Sequence, residues 1–175
     1  SGGRLTIKVY SAGELVPALE CFGAVANGTA QMGHDAGYYH TGKSEGCAFF
    51  TAFPFGFTMG EMAAWIKHGN GQKLWDELYA PFGIRGFQAG STGTQMFGWF
   101  RREIRSLADL DGLKFRTPGN QGRVLQKLGV TPVSLPGGEI FPALQSGAID
   151  GAEWVGPYND LALGFYQVCR YYYSP

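Results

Sequence analysis

Arg116 ends the segment LKFR, residues 113 to 116, and leads directly into the turn TPGN. A guanidinium is a permanent cation whose planar fork of donors matches a carboxylate in two parallel hydrogen bonds. At a strand end beside flexible backbone, it can present that fork to an organic acid. Taken alone, an arginine next to Pro-Gly reads first as a solvated surface group. Glu153 in IDGAEW and Gln95 in STGTQMFGWF are further oxygen-bearing candidates. Without more context they read as a turn cap and an amide bonded to backbone. Tyr38 and Tyr39, in the Gly-punctuated stretch 29–47, offer phenolic hydroxyls to a ligand or rings to a core. Asn120, Trp154 and Phe141 are candidates for pocket walls. No nucleophile and base suggest themselves: His34, His40 and His68 lie on Gly-rich or helix-end segments, and no GxSxG, HExxH or P-loop pattern occurs. An enzyme is therefore not expected.

The elements that must position these residues follow from periodicity and turn chemistry. LKFR reads as a strand, VLQKLG at 124–129 has helical spacing with a Gly stop, and VTPVSL at 130–135 alternates like a strand. GGEIFPALQSGAID supplies a Gly turn, a second short helix and another Gly stop before the strand IDGAEW. GGEI at 137–140 is read as the strand-to-helix turn of that unit, although Gly turns at helix starts also bind anions. Strand, helix, strand, helix, strand is the order that a parallel α/β layer requires. Upstream, RLTIKVY at 4–10 alternates as a half-buried strand, and a helix is expected from Glu14 to Val25, ended by Asn27-Gly28. The aromatic run FFTAFPFGF at 49–57 reads as core packing. Two helices follow, Thr58 to His68 and Gly71 to Tyr79, the first opened by a capping box of Thr58 and Glu61, with Trp65 and Trp75 facing a core. IRGFQAG at 84–90 reads as a strand, 91–100 as a crossing, and 158–173 as a short helix or turn followed by an aromatic strand or loop.

The strings LADLDGLKFRTPGN, GGEIFPALQSGAIDGAEWVGPYND and LGFYQVCRYYY closely resemble the extracytoplasmic substrate-binding proteins of TRAP transporters, the tripartite ATP-independent periplasmic family. The resemblance runs over essentially the whole chain and is closest to the subgroup for 2-oxo and lactate-like acids. It implies an α/β, periplasmic-binding-protein-like fold with parts of two lobes joined by crossing hinge strands. The lobes fall at 1–90 and 91–152, with 153–175 crossing back towards the first. It gives Arg116 the role of clamping the substrate carboxylate. It makes Gln95, Glu153 and the backbone carbonyl of Trp154 ligands of a Ca²⁺ or Na⁺ ion shared with the substrate, and all-oxygen ligation suits such hard cations. Tyr38, Tyr39, Trp154, Asn120 and Gln95 become substrate-binding candidates. The implied partners are a small organic acid and the membrane permease subunits of the transporter, and the implied location is the periplasm.

Composition bounds the rest. Lys and Arg number 14, Asp and Glu 14, and formal net charge is zero over 175 residues, so no nucleic-acid surface is expected. No apolar run approaches the ~20 residues of a membrane span. Cys21, Cys47 and Cys169 have no CxxC spacing and read as small buried hydrophobes. No signal peptide is visible, and the family's opening strand, opening helix and long C-terminal segment have no counterpart in the sequence, which is therefore incomplete relative to the family. Sheet edges and a lobe face bared in this way predict a homodimer or higher oligomer. The alternative function is accordingly a non-transporting oligomerisation or interaction module that keeps part of the fold.

Overall fold

The computed structural model describes residues 2–174. Helices come first along the chain and a sheet follows. Helix α1 (Cys21–Ala26) is preceded by a short 3-10 turn, Ala18–Glu20. The helix expected from Glu14 is thus shorter, because Pro17 lacks the N–H that a helix interior uses. A tighter 3-10 turn, Gly37–His40, carries both candidate tyrosines, and another spans Glu45–Phe50. Helix α2 (Met59–His68) opens on the capping box read from sequence: Thr58 Oγ1 accepts from the Glu61 N–H at 3.4 Å and Glu61 Oε2 accepts from the Thr58 N–H at 2.8 Å. Helix α3 (Gly71–Tyr79) buries Trp75 and Tyr79, four residues apart on one face. These join Phe22, Cys47 and Ile66 in one core.

Two strand expectations in this first part are corrected. Residues 4–10 form no strand, and Leu5, Ile7 and Val9 are 62%, 56% and 81% exposed. Alternation marks a segment that could lie half-buried on a sheet, but no strand among the described residues pairs with it. Residues 84–90 likewise carry no strand. That segment runs over α3, where Gly86 sits against the Trp75 indole and a Cβ would meet its ring at 2.2 Å.

The sheet comprises β1 (Gly98–Phe100), β2 (Lys114–Arg116), β3 (Thr131–Val133), β4 (Gly151–Ala152) and β5 (Tyr171–Tyr173), in the spatial order β3-β2-β4-β1-β5. Strands β3, β2 and β4 are mutually parallel, linked through α4 (Gly119–Gln126) and α5 (Gly137–Ser146) as the sequence predicts. Helix α4 starts five residues ahead of the expected Val124. The crossing strand β1 enters antiparallel to β4, and β5 lies antiparallel beyond it. Helix α6 (Pro157–Leu163) separates β4 from β5 and has Pro at its first position, where the missing N–H costs nothing.

Strand alternation sends Phe100, Phe115, Tyr171 and Tyr173 to one face of the sheet, with Leu110, Leu113, Leu125 and Val130. It sends Trp99 and Ala152 to the other, with Ile140, Leu144, Ile149 and Phe165. A buried Phe of this kind contributes roughly 1.5–3 kcal/mol. Phe115 lies flat because its neighbours have no side chains: a Cβ on Gly98 or Gly151 would come within 2.9 Å of its ring. Cys47 and Cys169 are buried as expected, whereas Cys21 is half-buried.

Candidate functional site

Arg116 is the largest fully buried side chain among the described residues, 1% exposed. The surface reading available from its local sequence is wrong, because three distant segments close over it. Strand β2 delivers it at the C-terminal end of the parallel strands, where ligands of open α/β sheets gather. Its Nε donates to the carbonyl of Leu135 at 3.1 Å. One terminal nitrogen donates to the carbonyl of Glu153 at 2.9 Å and to its Oε1 at 2.7 Å. The other donates to the Tyr39 hydroxyl at 3.0 Å. Four of its five N–H donors are thereby engaged by the described residues. The guanidinium also lies over the Trp154 ring, 5.0 Å from its centroid.

Glu153 follows β4 directly, and its N–H donates to the Arg116 carbonyl at 3.1 Å, so backbone pairing and ion pair reinforce one another. The carboxyl is 3% exposed. Burial pushes its pKa up to about 7, Arg116 pulls against that, and the Asp160 charge adds to the rise. Trp154 is half-buried, and its ring is admitted by Gly137 at the start of α5, where a Cβ would meet the indole at 2.7 Å. GGEI is therefore the strand-to-helix turn expected, with a glycine required by the tryptophan.

The tyrosine turn reaches the sheet from the first part of the chain. The ring of Tyr39 packs edge-on to Tyr38, centroids 4.7 Å apart. Burial raises the Tyr38 hydroxyl's pKa, with Tyr39 and Glu153 adding to the rise. His40, next in the turn, is buried, and its imidazole Nε2 bonds Asp35. Tyr38 and Tyr39 also line a cleft of about 260 Å³ together with Thr117, Pro118 and Gly119. Thr117 Oγ1 there is buried with no hydrogen-bond partner among the described residues.

The structure thus brings Arg116, Glu153, Trp154, Tyr38 and Tyr39 together. Gln95 is placed by backbone: the N–H of its neighbour Met96 donates to the Val155 carbonyl at 3.0 Å, aligning the two segments. Its amide nitrogen donates to Thr92 Oγ1 at 3.2 Å, which leaves the amide oxygen as an acceptor. Gln95 makes no hydrogen bond to Arg116 or Glu153. Asn120 lies half-buried in the first turn of α4 and makes no side-chain hydrogen bond among the described residues. Phe141, on α5, packs against the core of Ile140, Leu144 and Phe165. No group of three His, Cys, Asp or Glu able to hold a metal occurs among the described residues. A cation here would take one carboxylate plus neutral oxygens, the donor set that Glu153, the Trp154 carbonyl and Gln95 comprise. Sequence reading missed Leu135, which acts through its carbonyl and so gives no side-chain signal. It also missed Asp160, whose only local mark is an acid in the first turn after Gly-Pro.

The whole chain, residues 1–175, matches the family model DctP, bacterial extracellular solute-binding protein, family 7. Among curated proteins it is 49% identical over 175 residues to a monocarboxylate 2-oxoacid-binding periplasmic protein of a Nostoc species, covering all of this chain and 48% of that protein. Among solved structures it superposes on a TRAP transporter solute-binding protein from Bordetella bronchiseptica, described with copurified calcium and picolinate. That match has a TM-score of 0.97 and 45% identity, over 99% of this chain and 52% of the other. A second is a TRAP periplasmic solute-binding protein from Pseudoalteromonas atlantica with bound sodium and pyruvate, with a TM-score of 0.95, 48% identity, and coverage of 99% and 53%. The chain spans about half the length of these relatives.

Proposed function

The chain belongs to family 7 of the bacterial extracellular solute-binding proteins, and from that membership we propose that it captures a small 2-oxo or 2-hydroxy carboxylic acid outside the cytoplasmic membrane, for hand-over to the permease subunits of a TRAP transporter. The observation that carries this reading is the buried Arg116, fixed by Leu135, Glu153 and Tyr39 at the C-terminal end of the parallel strands. A planar cation stripped of water and held at a defined angle selects a planar anion. On this reading the acid's carboxylate takes the remaining guanidinium N–H and competes with Tyr39 for the other on the same nitrogen. A hard cation, Ca²⁺ or Na⁺, would be held by Glu153, the Trp154 carbonyl and Gln95, and would draw in the second oxygen of a 2-oxo acid by chelation. Relatives described with calcium or sodium beside picolinate or pyruvate support that choice of ligand and ion. Asn120 completes the wall from α4. The same reading divides the chain near residue 90 into two lobes, with the segment from Glu153 onward returning between them.

Isothermal titration of pyruvate into the chain, with Ca²⁺, Na⁺ or chelator, tests the proposal. Cation-dependent heat, abolished in Arg116→Ala, is the expected result. Absence of binding by pyruvate, lactate and longer 2-oxo acids under all three conditions would remove it.

Self-association is a second reading, favoured by one observation. Phe49, Phe53, Phe55 and Phe57 are exposed beside an apolar groove of about 270 Å³ lined by Phe49, Phe50, Trp65, Leu74 and Leu78. Light scattering that gives a single-chain mass across concentration would dismiss it.

A further inference from the structure

Asp160 is 1% exposed and supplies no ligand atom to the site, yet its carboxylate gathers the backbone that follows Glu153. Its Oδ1 accepts from the N–H groups of Val155 at 3.0 Å and Gly156 at 3.1 Å. Its Oδ2 accepts from the indole N–H of Trp99 at 2.9 Å and from the Tyr172 hydroxyl at 3.3 Å. A carboxylate offers about four acceptor positions, so these donors saturate it. The two aromatic donors are themselves stacked, ring centroids 4.0 Å apart. One buried side chain therefore joins α6, the turn at 155–156, β1 and β5.

The segment between Ala152 and Gly156 is fixed at both ends as a result. At one end, Ala152 pairs with Trp99 in the sheet and the Glu153 N–H bonds the Arg116 carbonyl. At the other, Asp160 holds two successive N–H groups, and Met96 bonds the Val155 carbonyl. Glu153 and Trp154 lie between these anchors. We propose that Asp160 is the positioning residue of the site: it acts through Val155, Gly156 and Trp99 to set the angle of the Glu153 carboxylate and the direction of the Trp154 carbonyl. It touches neither acid nor cation. Its binding consequence rests on the proposed function, whereas the anchoring itself does not.

The test compares Asp160→Ala with Asp160→Asn. Alanine removes all four bonds. Asparagine keeps an oxygen for the two backbone N–H groups and turns an amide donor towards Trp99 and Tyr172. In Asp160→Ala, the Val155 and Gly156 amides should exchange about tenfold faster or more, while the Thr117 amide, bonded to the Val133 carbonyl just past β2, stays unchanged. Calcium-dependent pyruvate affinity should fall roughly 10- to 100-fold, the range for groups that orient ligating residues. Asp160→Asn should restore both to within a few-fold of the parent, yet shift the Trp99 indole N–H resonance upfield as it loses a charged acceptor. A folded Asp160→Ala variant with parental exchange at Val155 and Gly156 and parental affinity overturns the proposal. If Asp160→Ala does not fold, an unmoved indole resonance in Asp160→Asn overturns it instead. Should the parent chain bind no acid, the proposed function falls, and the exchange and indole measurements still decide the role of Asp160.

Discussion

The helical first part and the sheet part handle polarity in opposite ways. Between Phe22 and Tyr79 the core is aromatic, with Phe50 stacked between Trp65 and Trp75 at 5.5 Å and 5.1 Å, and His40 is its one buried charge-bearing side chain among the described residues. Apolar surface is left over there, with Phe55 fully exposed and held at a positive φ of 59°. The sheet part encloses Arg116, Glu153 and Asp160, each nearly inaccessible to water. Burying charge is costly unless it is paired and hydrogen-bonded. That cost is concentrated at the strand ends, whereas among the described residues the aromatic core carries the single His40 pair with Asp35.

The comparison is broken most severely by removing a buried charge. Arg116→Ala leaves Glu153 unpaired and should cost about 3–5 kcal/mol in chemical denaturation. A change within error would mean that the pair is solvated. Trp75→Ala in the aromatic core should cost a similar ~3–5 kcal/mol, but it should leave any acid affinity of the folded fraction intact. Loss of affinity there would make the two regions one cooperative unit.

Glu153 sharpens the contrast through pH. Its folded pKa, about 7, lies above its ordinary 4.5, so the folded state holds a proton that the unfolded state has released. Its contribution is fully present below about 4.5 and is lost as pH rises through about 7. Melting temperature measured from pH 4.5 to 8 should show a declining component that Glu153→Gln removes. A component rising with pH would instead mean that the ion pair dominates burial.

Smaller effects come from exposed groups. Thr58→Ala deletes a capping box confined to α2 and should cost about 1 kcal/mol by thermal denaturation. The Arg123 to Glu45 ion pair, at 2.9 Å, bridges the two regions, but both partners are largely exposed. A double-mutant cycle should return less than about 1 kcal/mol. A larger coupling would place part of the inter-region contact in that pair.

Local features were legible in the sequence. The Thr58 box and the strand and helix order from β2 to β4 depend on residues within a few positions of one another, and both form, with α4 beginning earlier than expected. What failed depends on partners far along the chain. The alternation at 4–10 gives no information about what would cover it. Arg116 looked like a surface residue because Tyr39, which closes over it, is 77 positions away. Asp160 drew no reading from the sequence, since its indole partner is 61 positions away. The family resemblance assigned Arg116 and Glu153 to one ligand site, which no periodicity encodes, while their direct ion pair was not expected.

Arg116, with its guanidinium fixed, would lower the entropic cost of the capture proposed for this chain. Its guanidinium gave up hydration and rotamer freedom when the chain folded, held by Leu135, Glu153 and Tyr39. On the proposed function, an arriving carboxylate would meet a cation that has already borne those losses, and its association would draw on preorganisation instead of ordering the site anew.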